Sequence, residues 1–387
     1  MLEKALKGSP CYWIWLLILG AIATPGLIAY IFQLNLGLKI TGMSRDVSWG
    51  FYIAQFTYLV GVAASAVMLV LPYYFHHFKA FKKMILLGEF MAIAAVSMCL
   101  MFIIVDLGQP QRAMNVILHP TPGSILFWDM IVLNGYLFIN LLVGWVTLQA
   151  DKNDMPPPGW IKFFVYLSII WAFSIHTVTA FLYAGIPGRH YWLTAIMAAR
   201  FLSSAFCSGP AILLLLVFVL QQISKFRAGT EAINALAKII TYAMCINVFF
   251  YILELFTVFY SNIPGHMHPI VYLFQGHHEY HQWVGFMWTA AIFAMLSLLL
   301  LIPPSFRENH KLLPFSLVIL VIATWIDKGI GLLVGGFTPN PFERITEYVP
   351  TLWELMIAVT IYAIGAMILT VLWKIAVTVK EEMGTAS

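Results

Sequence analysis

The sequence predicts an all-α membrane protein that crosses the bilayer about ten times. Of its 387 residues, 61% are hydrophobic and only 10% are charged, and the mean hydropathy is +0.87. Soluble domains carry roughly 25% charged residues. The apolar runs are about 20 residues long, which is the length that an α-helix needs to cross hydrocarbon. They lack the alternation over ~10 residues that is typical of an outer-membrane barrel. We therefore expect one polytopic transmembrane domain over residues 1–387.

Ten apolar segments follow one another along the chain. We place the helices at residues 13–34, 50–75, 84–106, 125–149, 160–184, 201–224, 238–260, 283–303, 312–336 and 352–379. The first segment is too long for a cleavable signal, and no small-residue cleavage site follows it. We therefore expect this first helix to remain in the mature chain.

Basic residues are distributed unequally between the two sets of connecting segments. If the N-terminus is cytoplasmic, fourteen of the 21 Lys and Arg residues fall on that side of the membrane. Cytoplasmic loops are enriched in positive residues. We therefore expect both termini in the cytoplasm and the protein in the cytoplasmic (inner) membrane. The longer connections, which hold much of the Gly, Pro and His, then lie on the non-cytoplasmic side, where we expect the chemistry or a docked partner.

The four cysteines do not form a cluster. Cys11, Cys99, Cys207 and Cys245 have none of the spacings that are typical of iron–sulfur or covalent haem sites. A b-type haem held between helices needs two facing histidines, and the predicted spans contain His176 alone. We therefore expect neither intrinsic haem nor an iron–sulfur cluster in this chain.

A histidine-rich segment, GHHEYHQW at 276–283, lies in a non-cytoplasmic connection together with His266 and His268. Histidines in an exposed loop are more often solvated or interfacial than bound to metal. No acidic residue or cysteine completes a recognisable zincin or haem pattern. We therefore predict no metal site.

Seven ionisable residues lie within or at the ends of the predicted spans. Six fall in the outer half of the membrane, and one, Glu89, lies near the inner end of helix three. A charge at the bilayer centre costs about 2.5–3.5 kcal/mol on insertion scales, and such groups usually face the protein interior and serve function. We therefore predict one shared polar pocket near the outer surface. Its members are Asp106, Asp129, His176, Glu254, Asp327 and Glu354.

Each member of this set also has a structural interpretation. Asp106 ends helix three and is followed by Arg112, so an ion pair at the membrane surface would account for it. Asp129 lies near the start of helix four, where the helix dipole favours a negative charge. His176 has either a structural hydrogen bond or the role of a proton donor or acceptor with a pKa near neutrality.

The later acids have similar alternatives. Glu254 is surrounded by apolar residues and is either a member of a proton relay or a buried neutral acid. Asp327 and Lys328 are adjacent, so their side chains point in different directions and each needs its own partner. Glu354 is either a favourable charge in the first turn of its helix or part of an interhelical hydrogen bond. Glu89 could form an ion pair with a basic residue at the cytoplasmic rim.

Several segments, taken in order along essentially the whole chain, resemble the NrfD/PsrC family of quinone-interacting membrane subunits. They are DVSWGFYIAQFTYLVGVAASA, DLGQPQR, SILFWDMIVLNGYL, SIHTVTAFLYAGIPGRHYW, FLSSAFCSGPAILL and YVPTLWELMIAV. The ten-span length and WIDKGIGLLVGGFTPNPFE are most similar to the DsrP/HmcC branch of sulfate-reducer respiratory complexes. The resemblance implies two helix bundles and no redox centre within the subunit.

The resemblance also implies a quinone pocket, usually for menaquinone, near the non-cytoplasmic surface. Asp106, Asp129 and His176 correspond to its polar residues, and we expect them to be catalytic in proton exchange. We further expect quinone contacts from Trp49, Arg112 and Tyr183. Proton-transfer candidates are Glu89, Glu254, Asp327, Lys328 and Glu354. Quinol oxidation releases two protons with two electrons, which a carboxylate and an imidazole can accept.

The implied partner is a ferredoxin-like iron–sulfur subunit on the non-cytoplasmic face, together with a multihaem cytochrome c and other membrane or cytoplasmic redox subunits. We expect no nucleic-acid partner. Two other functions remain open at this point. An ion-coupled secondary transporter would use the intramembrane acids, although its site belongs near the midplane. A membrane anchor without quinone chemistry is also compatible with the sequence.

Overall fold

The computed structural model describes residues 3–277 and 279–382. Ten helices in this part of the chain are long and apolar enough to span a membrane, as the composition predicts. They are α1 (Pro10–Leu36), α2 (Phe51–Phe75), α3 (Lys79–Asp106), α4 (Ile125–Lys152), α5 (Ile161–Ala184), α6 (Met197–Ile223), α7 (Thr230–Tyr260), α8 (Val284–Leu301), α9 (Leu313–Phe337) and α10 (Leu352–Glu382).

Local sequence signals set the ends of α1. The Ser9 hydroxyl accepts a hydrogen bond from the Tyr12 amide at 3.3 Å, and Pro10 occupies the first turn, where its missing N–H costs nothing. Gly37 ends the helix with a φ of +74°, a conformation that glycine adopts without strain. The helix therefore begins three residues before the predicted position 13 and ends two residues after the predicted position 34, at these Ser-Pro and Gly signals.

The long helices pack as two groups and a pair. Helices α2–α5 contact one another in the first bundle, and α6–α9 form the second bundle. The bundles meet where α6 packs on α2 and α5. Helices α1 and α10 form a pair that lies against α3. Helix α2 is therefore enclosed on nearly every side, which explains why almost all of its residues are buried.

Three helix starts lie four or more residues upstream of the predicted positions, and the first of them is that of α3, at Lys79 instead of 84. Helix α6 begins at Met197 instead of 201, and α7 begins at Thr230 instead of 238. The shift in α6 matters because it places Arg200 inside a membrane-spanning helix. The ninth span is also irregular, since Ile326–Gly331 winds as a π-helix. Such π segments occur often at functional sites.

An even number of crossings puts both termini on one side of the molecule, which we name the terminal face. The other side, the loop face, is formed by residues 37–50, 107–124, 185–196, 261–277, 279–283 and 338–351. The loop face includes a further helix, Pro264–Gln275. The unequal distribution of Lys and Arg predicts that the loop face is non-cytoplasmic.

Candidate functional site

The first bundle contains a buried carboxylate and imidazole on facing helices. Asp129 of α4 is 1% exposed and its Oδ1 accepts a hydrogen bond from the Thr179 hydroxyl of α5 at 2.8 Å. His176, one turn below Thr179, is fully buried. Its Nδ1 lies 2.8 Å from the Ala172 carbonyl oxygen. A carbonyl only accepts, so Nδ1 carries the proton and Nε2 keeps its lone pair.

Tyr183 lies one turn above Thr179 and connects this pair to the loop face. Its hydroxyl forms a short hydrogen bond with the Thr57 hydroxyl of α2. Both Asp129 and Asp106 lie within electrostatic range of the Tyr183 side chain. The polar residues Thr57, Asp129, His176, Thr179 and Tyr183 form what we call the first-bundle cluster.

Aromatic rings cover the first-bundle cluster on the loop-face side. Trp49 stacks on Trp192 with ring centroids 5.8 Å apart and meets Tyr183 edge-on at 5.5 Å. Phe337 lies 5.0 Å from Trp192, and the indole N–H of Trp192 donates to the Leu332 carbonyl at 2.8 Å. These four rings come from α5, α9 and two loops. Trp49 and Tyr183 were predicted from the sequence, and they share this aromatic cluster.

Glu354 belongs to a separate structure, which we name the loop-face cap. It is fully buried, and its Oε1 accepts from the Tyr348 hydroxyl at 2.5 Å. Its Oε2 accepts from the backbone amides of Gly42 at 2.7 Å and Thr351 at 2.9 Å. Burial and the Glu354 carboxylate raise the pKa of Tyr348, so its hydroxyl stays protonated. Glu354 therefore holds two loops on the start of α10.

Asp106 lies between the cap and the first bundle. It is the last residue of α3, within electrostatic range of Glu354, and its buried Oδ1 has no hydrogen-bond partner among the described residues. The predicted surface ion pair with Arg112 is not formed within this part of the chain. Arg112 lies exposed in the turn after α3, away from the buried groups.

The second bundle contains a charge cluster formed by Arg200, Glu254, Asp327 and Lys328. Arg200 Nη1 lies 2.5 Å from Glu254 Oε2, and Nη2 lies 3.5 Å from both oxygens of Asp327. Lys328 points elsewhere and donates to the Phe201 carbonyl at 3.1 Å. Adjacent residues on a helix face different directions, so Asp327 and Lys328 have separate partners, as the sequence predicts.

Arg200 is the residue of this cluster that the sequence analysis missed. The predicted helix began at 201, which assigned Arg200 to a loop. The available signal was the apolar run TAIMAARFLSSAF, which places one arginine a single turn inside a helix. An arginine at that depth needs an acidic partner, and the sequence places Glu254 and Asp327 in the same outer half of the membrane.

Glu89 lies near the other end of the first bundle, toward the terminal face. It is 4% exposed, and its Oε2 has no hydrogen-bond partner among the described residues. Lys380 of α10 and Asp151 of α4 lie within electrostatic range. The seven predicted ionisable residues thus occupy the first-bundle cluster, the loop-face cap, the charge cluster, the position of Asp106 between the cap and the first bundle, and this inner position, instead of one shared pocket.

Two larger cavities lie beside the second bundle. One, of about 410 Å³, is an apolar groove between α6 and α7 lined by residues such as Leu202 and Ile246. The other, of about 430 Å³, lies at the loop face beside Glu254 and His266. A third, of about 10 Å³, adjoins Arg200 and Lys328 and is on the scale of one water molecule.

The described residues hold no group of three or more His, Cys, Asp or Glu side chains that converges as a metal site. His278 of the GHHEYHQW segment lies outside them. His268 instead lies 2.7 Å from the Glu343 carboxylate on the loop face.

The first-bundle cluster and the neighbouring Asp106 each include a buried polar atom that no described group satisfies. His176 Nε2 and Asp106 Oδ1 are buried polar atoms without a hydrogen-bond partner in the described chain. Buried polar atoms are nearly always hydrogen-bonded in folded proteins. These two atoms therefore suit a ligand that presents hydroxyl or carbonyl oxygens.

Comparison with known proteins places this arrangement in a family. The chain is 23% identical to a protein of Halobacterium salinarum named as a dimethyl sulfoxide reductase membrane subunit, over 92% of this chain and 88% of the relative. It is 21% identical to a menaquinone reductase integral membrane subunit of Nitratidesulfovibrio vulgaris, over 90% and 87% of the two chains. An Hdr-like menaquinol oxidoreductase integral membrane subunit of Archaeoglobus fulgidus is 23% identical, over 65% and 62%.

The family model described as "Polysulphide reductase, NrfD" matches residues 39–339. This range includes eight of the ten long helices, from α2 to α9, and every member of the first-bundle and charge clusters. The protein is multi-pass, which in prokaryotes means the cytoplasmic membrane. The chain therefore belongs to the NrfD polysulphide reductase family of integral membrane proteins.

Proposed function

We propose that this chain is the quinone-interacting membrane subunit of a multi-subunit oxidoreductase. Its substrate would be a menaquinol or menaquinone that binds at the loop-face end of the first bundle. Two of the relatives carry menaquinone or menaquinol in their names, and both are integral membrane subunits. The chain alone would not complete the redox reaction, because the electrons need a second carrier.

The observation that carries this proposal is the pair of proton acceptors on facing helices. His176 presents an Nε2 lone pair, and Asp129 presents a carboxylate that is already hydrogen-bonded by Thr179. Oxidation of a quinol removes two hydroxyl protons and two electrons. One proton would pass to each acceptor, and the electrons would leave to the partner subunit. The reverse reaction would use the same two groups as proton donors.

The aromatic cluster would position the ring. Trp49, Tyr183 and Trp192 pack against one another with centroids 5.0–5.8 Å apart, so an entering ring would replace part of these contacts with stacking of its own. The Tyr183 hydroxyl, held by Thr57, would lie beside a ring oxygen. Asp106, with its unpartnered oxygen, would serve as a further acceptor at the membrane surface. Arg112 would contact the quinone only if the exposed turn that holds it folds over the site.

Proton exchange with the two aqueous sides is a further part of the proposal. Glu89, buried near the terminal face, would exchange protons on that side. Proton transfer through the second bundle would use Asp327, Lys328 and Glu254, and Arg200 holds the two acids there. Glu354 is the weakest of these candidates, because both of its oxygens already hold the loop-face cap.

The partner would be an iron–sulfur subunit on the loop face, joined by other redox subunits such as a multihaem cytochrome c. The loop face offers exposed apolar and basic groups for such a subunit, among them Arg112 and Phe342. Aromatic residues and arginine are enriched at protein interfaces. A quinone under this face would also lie near the first cluster of a docked partner.

Substitution of the two acceptors tests the proposal. We expect Asp129→Asn and His176→Ala each to lower quinol-dependent electron transfer about 10²–10⁴-fold, the usual effect of losing a positioned proton acceptor. The controls are Asp154→Asn and His76→Ala, which remove the same groups from exposed positions on the terminal face. Co-purification of the partner subunits reports assembly. If both variants assemble and turn over at the parental rate, the site is not in the first-bundle cluster.

A further inference from the structure

The second bundle has a cavity at the loop face that the proposed quinone site does not use. Its volume is about 430 Å³, and it lies between the end of α7, residues 193–196 and the start of the Pro264–Gln275 helix. Ligand pockets are typically about 300–1,000 Å³. The cavity is therefore large enough for a group of two fused six-membered rings with substituents.

The lining combines apolar walls with a few polar groups. Leu253, Val258 and Ile263 provide the walls, whereas Glu254 and His266 provide a carboxylate and an imidazole. Small-molecule sites commonly show this pattern, in which a small number of polar groups orient an otherwise apolar ligand.

The two polar groups are held in defined states. The Glu254 carboxylate accepts from Arg200 at 2.5 Å, which fixes its position and balances its charge. Burial and the neighbouring His190, 5.7 Å away between ring centroids, lower the pKa of His266, although Glu254 opposes this shift. A neutral imidazole can both donate and accept a hydrogen bond.

The cavity opens to the outside of the helix bundle. Leu253 is 36% exposed on the outer side of the membrane-spanning helix α7, and Ile263 is 46% exposed on the loop face just beyond it. Thr257, one turn above Leu253 and on the same side, is also exposed. A ligand with a long apolar tail can therefore enter from the bilayer while its head reaches Glu254 and His266.

The charges of the lining decide between classes of amphipathic ligand. Neither Lys nor Arg lines this cavity, which disfavours the phosphate of an anionic lipid headgroup. Arg200 already balances the charge of Glu254, so the cavity offers no unpaired negative charge to the ammonium of a zwitterionic lipid. A neutral ring with hydrogen-bonding oxygens satisfies both conditions.

We propose that this cavity is a second quinone-binding site, at which the His266 imidazole donates a hydrogen bond to a ring oxygen of a menaquinone-type ligand and the Glu254 carboxylate accepts one from its ring hydroxyl in the quinol form. The inference takes its ligand class from the proposed function but concerns residues outside the first-bundle cluster. The two sites are connected through α6, because Arg200 precedes Phe201, whose ring lies 5.9 Å from that of Tyr183. A second site would let the protein hold two quinone molecules at the same face.

Photolabelling of the intact membrane complex tests this proposal. A photoreactive azido-menaquinone analogue is added, and the labelled peptides are identified by mass spectrometry. We expect label in residues 253–266 as well as in peptides of α4 and α5. The Thr257→Trp variant fills the cavity from its exposed side. We expect it to reduce the label in 253–266 at least about tenfold, which corresponds to about 1.4 kcal/mol of binding free energy. The label in α4 and α5 is expected to remain.

The matched control is Thr24→Trp. Thr24 is an exposed threonine of α1 whose hydroxyl donates to the carbonyl four residues earlier, as that of Thr257 does. This variant is expected to keep both labels. Asp129→Asn is expected to lose label in α4 and α5 and to keep it in 253–266.

The outcomes separate the two proposals. Label confined to α4 and α5 overturns the second site and leaves the proposed function standing. Label confined to 253–266 overturns the first site, and absence of label from both regions overturns both. Label in 253–266 that excess phospholipid competes away, but excess menaquinone does not, identifies a lipid site and also overturns the inference.

Discussion

Replacing Arg200 by methionine removes the guanidinium that holds a buried acid, Glu254, and a partly buried acid, Asp327, in the second bundle. Arg200 is 8% exposed, and its partners Glu254 and Asp327 lie 2.5 and 3.5 Å away. Lys328 cannot take its place, because its ammonium already donates to the Phe201 carbonyl at 3.1 Å. Breaking a buried ion pair by removing one partner costs about 3–5 kcal/mol, because the other charge is left uncompensated. We expect a loss of this size in the free energy of unfolding.

The measurement is an SDS titration of the purified chain in mixed micelles, followed by circular dichroism. Glu254→Gln keeps a hydrogen-bond acceptor and leaves Arg200 with Asp327, so a smaller loss of about 1–3 kcal/mol is expected. Arg112→Met is the control, because Arg112 is exposed and forms no ion pair within the described residues; its effect is expected to stay within about 0.5 kcal/mol. If Arg200→Met is as mild as Arg112→Met, the charge cluster does not stabilise the fold.

Two further predictions concern the packing of α1 and the docking face. Gly26→Ala places a Cβ against the Met356 carbonyl oxygen of α10, so we expect a loss of about 1–3 kcal/mol in the free energy of unfolding. The control is Gly20→Ala, whose added Cβ has no atom within 4 Å, so we expect the free energy of unfolding to be unchanged or raised. We also expect that removal of the partner subunits exposes residues 107–124 to protease added from the non-cytoplasmic side. Cross-linking of an iron–sulfur partner to Lys82 or Lys152 on the terminal face would instead place the docking site a bilayer's thickness, ~30 Å, from the proposed quinone site.

The sequence was sufficient for the class, the number of spans and the identity of most buried ionisable groups. Hydropathy identifies membrane spans because an unpaired polar group is costly in lipid. The same cost restricts ionisable residues to the protein interior, so Asp129, His176, Glu254 and Asp327 could be selected before the structure was known. Asp129, His176 and Glu254 are buried in the structure and Asp327 is partly buried, which agrees with that reasoning.

The grouping of these residues could not be predicted in the same way. Membrane depth is readable from position along a helix, but the rotation of each helix about its axis is not. Glu354 and Asp129 lie at similar depths, yet one holds two loops on α10 and the other faces α5. The single pocket predicted from depth alone therefore became separate clusters. Arg200 was missed for a related reason, since helix ends are the least certain part of a sequence assignment.

The central claim is that a quinone binds between the helices of the first bundle, beside Asp129 and His176. The most direct test is a cryo-electron microscopy map of the membrane complex prepared with excess menaquinone. The account predicts ring density with one oxygen about 2.6–3.2 Å from His176 Nε2 and the second oxygen toward Asp129 or Asp106. Ring density found only outside α2–α5, with His176 and Asp129 still packed as they are in the chain alone, would contradict it.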